Sequence, residues 1–279
     1  MTALPDSKTP WGASYRLIAA EKWRAKSAAM GIPLTQALVE FSQPRSAMQV
    51  LDLATGTGEP AISLAERVGP DGHVSGVDLS ADLLPIAEKR AQERGLANIS
   101  FHQGDAHELP FPDETFDLAT CRFGVMFFAD VDKALRELRR VLRPGARACF
   151  VAWGPFDQPY WQSTMGVVVK HVGEPAIMPG GQDPFRFSQV GSLSAALRQI
   201  GFRDASEETK AVPWNWPGKP EELWEYARSV SVPFRAMLDR VPEEKWPEIE
   251  AEVHAALRKH SGSDGVHFHA LVVMASGTK

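Results

Sequence analysis

One segment constrains the fold more than any other: residues 50–60, Val-Leu-Asp-Leu-Ala-Thr-Gly-Thr-Gly-Glu-Pro. Its pattern predicts a buried strand that ends in a loop with two glycines, after which Pro60 suits the first turn of a helix. Glycine lets the backbone turn tightly and lets a ligand lie against it. A helix N-terminus adds unpaired N–H groups and partial positive charge. The segment therefore favours a nucleotide-like ligand or a carboxylate.

Strand and helix patterns alternate around this segment. The clearest helix covers residues 131–142, where apolar residues recur at i, i+3, i+4 and i+7, with Asp130 as its cap and Pro144 as its stop. The predicted strands lie at about 48–53, 73–78, 98–103, 115–121 and 147–153, and the other helices at about 60–68 and 80–94. This spacing predicts βαβ units and a doubly wound, mostly parallel α/β sheet.

Later segments are less regular. A helix from a cap at Ser188 to about Ile200 precedes a strand at 202–210, and residues 220–260 are predicted to be helical with breaks at Pro233, Pro242 and Pro247. An N-terminal helix is expected around Trp11 to Met30. A single domain over 1–279 is predicted, with these parts: an N-terminal helical cap at 1–40, a cofactor-binding core at 45–153, cap insertions at 155–186 and 212–262, and a closing strand at 266–275.

Aromatic residues concentrate in the predicted cap. For any one of them, packing of the cap against the sheet is the main expectation, and a place in a ligand pocket is the alternative. They are Trp11, Tyr15, Trp23, Trp153, Phe156, Tyr160, Trp161, Trp214, Trp216 and Trp224.

Composition excludes several classes of protein. With 44% hydrophobic and 23% charged residues the chain can build a sizeable core, so disorder is not expected away from the ends. A net charge of -5 without a basic cluster disfavours a nucleic-acid substrate. No run of residues is long enough to span a membrane, and residues 1–11 lack the apolar stretch of a signal peptide. Cys121 and Cys149 show no metal-ligand spacing, so we expect buried reduced thiols, no metal and a cytoplasmic location.

Two acids follow the next two predicted strands. Asp78 ends the second strand, where nucleotide-binding folds of this kind place an acid for the ribose hydroxyls, although a cap or surface role is the alternative. Asp105 follows the third strand and is suited to accept a hydrogen bond from the amino group of a purine. A glycine loop and two acids after three successive strands form a much stronger signal than any one alone.

Two cofactors fit the loop itself. Residues 56–61 satisfy the Gly-x-Gly-x-x-Gly/Ala pattern of NAD-binding proteins. Against NAD, none of the three tyrosines has a lysine four residues later, as a common hydride-transfer pair requires. Asp105 also suits an adenosyl ligand better than a pyrophosphate.

Five segments resemble motifs of the class I S-adenosylmethionine-dependent methyltransferases, especially the ubiquinone/menaquinone-biosynthesis (UbiE-like) branch. The match covers about residues 45–153, in the right order and spacing. Many class I members have glycine where this chain has Ala54, and Ala146 replaces another frequent glycine. The segments are 51–58, 76–80, 104–113, 116–124 and 140–145.

The resemblance implies a Rossmann-like sheet of seven strands with an antiparallel last strand, plus a helical cap. It also implies methyl transfer from S-adenosylmethionine to a small acceptor by in-line displacement. By motif position, the residues expected to bind the cofactor are Ala54, Gly56, Thr57, Gly58, Asp78, Leu79, Asp105, Ala106, Cys121, Arg122 and Phe123. Of these, the last three are expected to close the floor beneath the sulfonium.

The acceptor side is less defined. Tyr15, Trp153 and Tyr160 are candidate substrate residues, because an aromatic cap suits a flat or lipophilic acceptor. His107 is expected to be peripheral, no general base is assigned, and the oligomeric state is open. The alternatives are an NAD(P)-dependent oxidoreductase and a non-catalytic protein that binds S-adenosylmethionine.

Overall fold

The apolar runs of the chain form one seven-stranded sheet in the computed structural model, which describes residues 22–177 and 182–279. The strand order is β3-β2-β1-β4-β5-β7-β6. β7 runs antiparallel to both of its neighbours, whereas β1 to β5 pair in parallel. The predicted Rossmann-like sheet with an antiparallel last strand is confirmed. The strands are β1 (Gln49–Leu53), β2 (His73–Asp78), β3 (Ile99–Gln103), β4 (Phe116–Arg122), β5 (Leu142–Trp153), β6 (Arg203–Pro213) and β7 (His269–Thr278).

Ten α-helices accompany the sheet within the described ranges. The amphipathic pattern at 131–142 forms a helix as predicted, and the Asp130 side chain accepts a hydrogen bond from the Lys133 N–H at its start. The helices are α1 (Arg24–Ser42), α2 (Ala61–Val68), α3 (Leu84–Glu93), α4 (Val131–Val141), α5 (Pro159–Ser163), α6 (Met165–Val172), α7 (Ser192–Gln199), α8 (Pro220–Val230), α9 (Arg235–Leu238) and α10 (Trp246–Arg258). None of these is both long and apolar enough to cross a membrane.

The end predicted for the N-terminal helix was wrong. Helix α1 continues past Met30 to Ser42 with Pro33 inside it. A proline within a helix removes one backbone hydrogen bond. Here Leu34 and Leu38, both at most 1% exposed, keep the helix on the core beyond that point. The start predicted at Trp11 lies outside the described residues.

The start predicted for the helix at 188–200 was also wrong. Helix α7 begins four residues later, after Gly191. Its N-terminus is capped by Glu207 of β6, whose two carboxylate oxygens accept from the N–H groups of Gly191 (2.7 Å) and Ser194 (2.9 Å). Pro247, predicted as a break, lies in the first turn of α10, where a proline is tolerated.

The sheet reverses its strand order between β1 and β4. In an open parallel sheet, such a switch point leaves a crevice at the carboxyl ends of the strands, where ligands bind. The residues predicted for the cofactor site follow the carboxyl ends of β1, β2, β3 and β4. Above this edge, the segments after β5 and β6 form helices α5, α6 and α8 to α10. The boundaries of the predicted cap remain a prediction.

Candidate active site

The carboxyl ends of the strands border a cavity of about 1190 Å³. Nine of the residues expected at the cofactor line it, together with both described acceptor candidates, Trp153 and Tyr160. Gly58 and Cys121 are not among its lining residues, and Tyr15 lies outside the described residues. The nine are Ala54, Gly56, Thr57, Asp78, Leu79, Asp105, Ala106, Arg122 and Phe123.

The two loop glycines have different structural roles. Both have a positive φ, +57° at Gly56 and +105° at Gly58. A Cβ built on Gly56 meets nothing within 4 Å, so this glycine faces open space at the cavity. A Cβ on Gly58 would lie 2.7 Å from Ile62 Cδ1 and 3.2 Å from Ala87 Cβ. Gly56 therefore leaves room for a ligand, and Gly58 allows α2 and α3 to pack closely.

Asp78 holds the glycine loop from the end of β2. Its Oδ2 accepts from the Gly56 N–H at 2.7 Å, and its Oδ1 accepts from the Ser80 N–H at 2.9 Å. Each carboxylate oxygen has two lone pairs, so acceptance from ribose hydroxyls is compatible with these bonds. On the same loop, Arg90 Nη1 donates to the Thr57 hydroxyl at 2.6 Å and to the Thr57 carbonyl at 3.0 Å. The sequence had not indicated Arg90.

Asp105 is oriented by His107, which the sequence had placed at the periphery. Asp105 Oδ1 accepts from the His107 N–H at 2.9 Å and lies 2.5 Å from His107 Nδ1. His107 Nε2 accepts from the Asp130 N–H at 3.1 Å, so the ring proton is on Nδ1 and is donated to Asp105. Burial opposes ionisation, but the hydrogen bonds from His107 prevail and hold the pKa of Asp105 below its ordinary value. Oδ2 is left to meet a ligand.

Phe123 lines the cavity, whereas Cys121 does not, and the floor expected from both stays a prediction. Cys121 is fully buried, and burial raises the pKa of its thiol, which excludes a reactive thiolate at neutral pH. A Cβ on Gly124 would come within 2.5 Å of Ala54 Cβ and 2.7 Å of Cys121 Sγ, so this corner requires a glycine. Phe123 and Ala54 both adopt positive φ, +58° and +55°. That conformation explains why glycine is common at the position of Ala54.

Asp52 is a fully buried carboxyl on β1. Its Oδ1 accepts from the Thr120 hydroxyl at 2.7 Å, and its Oδ2 has no hydrogen-bond partner among the described residues. Burial raises the pKa of Asp52 to about 7, although Thr120 and the charge of Arg122 oppose the rise. The carboxyl is thus close to the balance between its two protonation states near neutral pH.

Arg122 lines the cavity at the carboxyl end of β4, and its expected place in a floor beneath the sulfonium stays a prediction. It follows Cys121 in β4, and successive strand residues face opposite sides of the sheet. Its Nη1 donates to the Thr35 hydroxyl of α1 at 2.7 Å. Burial lowers the pKa of Arg122, and the nearby charges of Glu59 and Asp52 oppose that effect. Sequence patterns gave no signal for Thr35, which is 87 residues away from its partner.

Aromatic rings form one wall of the cavity. Phe123 stacks on Trp153 with ring centroids 4.3 Å apart and planes at 12°. Trp153 lies parallel to Tyr160 at 6.5 Å and perpendicular to Trp214 at 5.3 Å. Trp161 packs edge-on to Trp153 at 5.1 Å, and its indole N–H has no hydrogen-bond partner in the described structure. We call these five residues the aromatic wall; all of them line the cavity.

Most of the other aromatic residues of the predicted cap pack elsewhere. Trp216 is fully buried, 5.5 Å from Trp23, and neither lines the cavity. Trp224 is also buried away from the cavity. Packing was the main expectation for any single aromatic residue, and Trp153, Tyr160, Trp161 and Trp214 are the ones among those predicted that line the cavity.

One group of possible metal ligands lies outside the cavity. Among the described residues, the donor atoms of His171, Glu248 and Glu252 lie within 4.8 Å of one another. Both carboxylates are about half exposed, and Glu248 pairs with Lys245 at 2.9 Å. None of the three lines the cavity, so the reaction site is built without them.

Comparisons with known proteins find relatives that are named as methyltransferases. The chain is 44% identical over 176 residues to a demethylmenaquinone methyltransferase of Thermus thermophilus, a match covering 59% of this chain and 78% of the relative. It is 37% identical over 123 residues to one from Listeria welshimeri, covering 44% of this chain and 52% of the relative. The chain thus spans about half the length of the Listeria relatives it matches. The YcgJ protein of Bacillus subtilis shares the fold, with a TM-score of 0.58 at 23% identity, covering 88% and 97% of the two chains.

The sheet order, the glycine loop and the two acids define the S-adenosylmethionine-dependent methyltransferase class. Within this class the chain belongs to the ubiE/COQ5 methyltransferase family, whose model matches residues 32–174. The expected resemblance and the expected cofactor, S-adenosylmethionine, are confirmed at this level.

Proposed function

We propose that this chain methylates a small acceptor with a flat aromatic ring, using S-adenosylmethionine. One observation carries the proposal: residues of the glycine loop and of the aromatic wall line the same cavity. Stacking against rings such as Phe123 and Trp153 favours a planar ligand. The relatives bear names that refer to demethylmenaquinone, a quinone, and a flat ring agrees with those names.

The residues of the loop fit the cofactor. Gly56 leaves open space at the cavity, Asp78 retains lone pairs that could accept from the ribose, and Asp105 retains Oδ2, which could accept from the adenine amino group. Leu79 and Ala106 supply apolar contacts beside them. When bound, S-adenosylmethionine supplies an electrophilic methyl group on a sulfonium, displaced in line by the acceptor.

The protein's own part is to orient the acceptor and exclude water. Phe123 and Trp153 present parallel ring faces at the carboxyl ends of β4 and β5. Burial raises the pKa of Tyr160, so its hydroxyl stays protonated at neutral pH and can donate a hydrogen bond. We assign no general base. We also propose a cytoplasmic location, supported by two free, fully buried cysteines.

The test is release of S-adenosylhomocysteine from S-adenosylmethionine, followed by mass spectrometry. Matched acceptors are 1,4-naphthohydroquinone and cyclohexane-1,4-diol, which share two hydroxyls and differ in aromaticity. We expect methylation of the aromatic diol only, and its loss in the Gly56→Ala variant. Equal turnover of both diols contradicts an aromatic acceptor. Binding of S-adenosylhomocysteine without turnover of any ring-bearing acceptor supports a non-catalytic binding protein instead.

A further inference from the structure

Arg122, at the carboxyl end of β4, is fixed against helix α1 and not against a carboxylate. Its Nη1 donates to the Thr35 hydroxyl at 2.7 Å, and a Cβ on Gly31 would lie 3.5 Å from the same nitrogen. Among the described residues, no carboxylate oxygen comes within 4.0 Å of the guanidinium nitrogens. A neutral hydroxyl occupies one of the five N–H groups of arginine and brings no counter-charge into contact with it.

The other cations that line the cavity are engaged on the cofactor side. Arg94 pairs with Glu66 at 2.9 Å and lies 3.8 Å from Glu59. Arg90 donates to Thr57 on the glycine loop. Lys133 lies near enough to Asp105 to lower its pKa. Arg122 differs from all three because its hydrogen-bond partner, Thr35, lies on α1.

This environment favours an anion beside Arg122. Burial disfavours the charged guanidinium, and the charges of Glu59 and Asp52 compensate without touching it. A buried charge is stable when a counter-ion and further hydrogen bonds satisfy it. A guanidinium with N–H groups remaining is well suited to a carboxylate or phenolate oxygen.

The acceptor is a better source of that anion than the cofactor. The N-terminus of α2 and Arg90 already provide donors for a cofactor carboxylate at the glycine loop. A second cation close to a sulfonium is repulsive. Arg122, in contrast, precedes Phe123, which stacks on Trp153. Tyr226 of α8 lines the same part of the cavity and acts electrostatically on Arg122.

We propose that Arg122 binds an ionised oxygen on the aromatic acceptor, a carboxylate or a phenolate, and that Thr35 holds the guanidinium in place. The inference rests on the proposed function, because it assumes that the acceptor lies against the aromatic wall. It narrows the substrate class to ring acids and ionised phenols. An acceptor that arrives ionised also needs no general base.

The test compares 2-naphthoate with 2-naphthamide, which have the same ring and differ in charge. Each is titrated by calorimetry into protein saturated with S-adenosylhomocysteine. We expect naphthoate to bind about tenfold more tightly than the amide. Arg122→Met should reduce this preference to about twofold or less, and Arg122→Lys should retain part of it. Titration of 2-naphthol across pH separates the two sources, because phenolate recognition makes its binding tighten as pH rises.

Two further variants control for indirect effects. Thr35→Val keeps the shape of the side chain and removes the hydroxyl. It should weaken the binding of naphthoate about threefold and leave the binding of naphthamide unchanged. Arg94→Met removes a cavity arginine that is paired with carboxylates, and the preference should persist. Affinity for S-adenosylhomocysteine alone should stay within about twofold in all these variants.

Three results overturn the proposal. Equal binding of naphthoate and naphthamide to the wild-type protein shows that no anion site exists. An equal loss of S-adenosylhomocysteine affinity in Arg122→Met shows that Arg122 binds the cofactor. If S-adenosylhomocysteine binds but neither naphthalene compound does, the proposal of an aromatic acceptor fails, and this inference fails with it. Failure of S-adenosylhomocysteine itself to bind contradicts the proposed function at an earlier step.

Discussion

The two sides of the cavity are built by different means. On the cofactor side, Ala54 holds a positive φ angle and Asp52 buries a carboxyl, one oxygen of which has no hydrogen-bond partner among the described residues. On the acceptor side, Trp153 and Tyr160 are 8% and 3% exposed and contact one another through rings. The first set of features costs stability, whereas the second contributes to it.

This difference indicates that the residues important for cofactor binding are largely distinct from those that stabilise the fold. Strained backbone and buried charge persist at binding sites because the surrounding structure holds them in place. Substitutions on the cofactor side should therefore alter binding more than stability, or even raise stability. Substitutions in the aromatic wall should lower stability and spare the cofactor.

The largest effect is expected for Trp153→Ala. Deleting this indole removes its stacking on Phe123 and leaves a cavity, so the free energy of unfolding should fall by about 3–5 kcal/mol. Urea denaturation measures this loss. Affinity for S-adenosylhomocysteine should change by no more than about threefold. Trp153→Phe serves as the conservative control with a smaller loss. A tenfold loss of affinity for S-adenosylhomocysteine at unchanged stability contradicts the division into two sides.

Asp52→Asn should stabilise the protein in a pH-dependent way. The pKa of Asp52 is about 7 when folded and near 3.8 when unfolded, so the folded state binds its proton more tightly. The stability gained from that proton is present below about pH 4 and is lost as pH rises through 7. The free energy of unfolding of the variant should therefore increasingly exceed that of the wild type as pH rises from about 4 to 7, by at most about 4 kcal/mol. Denaturation at several pH values measures the gain; the exposed Asp71→Asn should show none.

Gly56→Ala should weaken the binding of S-adenosylhomocysteine about 100-fold, or about 3 kcal/mol, because the Cβ of the alanine enters the open space at the loop. Calorimetry measures this loss. Gly145→Ala is a matched control: its φ is +81°, a Cβ there also meets nothing within 4 Å, and it lies outside the cavity lining. Both variants should lose about 1 kcal/mol of stability from backbone strain. Equal cofactor affinity in the two variants would remove Gly56 from the site.

His107→Phe tests whether the imidazole orients Asp105. The variant keeps the backbone N–H bond to Asp105 but lacks the ring donor. Preference for S-adenosylhomocysteine over S-inosylhomocysteine, which lacks the adenine amino group, should fall about fivefold, or about 1 kcal/mol. The comparison of two ligands separates orientation from general loss of structure. An unchanged preference would show that the His107 ring does not orient Asp105. As a control, His102→Phe should leave the preference unchanged.

Ala54→Gly should have the smallest effect. Relief of the positive φ outweighs the greater freedom of glycine in the unfolded chain, so stability should rise by about 0.5 kcal/mol. Thermal denaturation checks the sign. Ala61→Gly, in helix α2, should instead lose about 1 kcal/mol. A loss in Ala54→Gly would show that its Cβ contact with the Gly124 corner matters more than the strain.

The sequence predicted the sheet and the cofactor loops because their information is local. Gly56, Asp78 and Asp105 each follow a buried strand, and parallel strands bring their carboxyl ends to one edge. Pairs that form only on packing left no local signal. Thr35 meets Arg122 across 87 residues, and Glu207 caps α7 from the middle of the next strand, β6. The bond from Asp130 to His107 depends in the same way on how α4 packs beside the third loop.

The central claim is that the glycine-loop side of this cavity binds the adenosyl cofactor. Calorimetric titration of the intact protein with S-adenosylhomocysteine, repeated with NAD, tests it most directly. The structure predicts one site for S-adenosylhomocysteine per chain and no heat of binding with NAD. Binding of NAD in place of S-adenosylhomocysteine would contradict it.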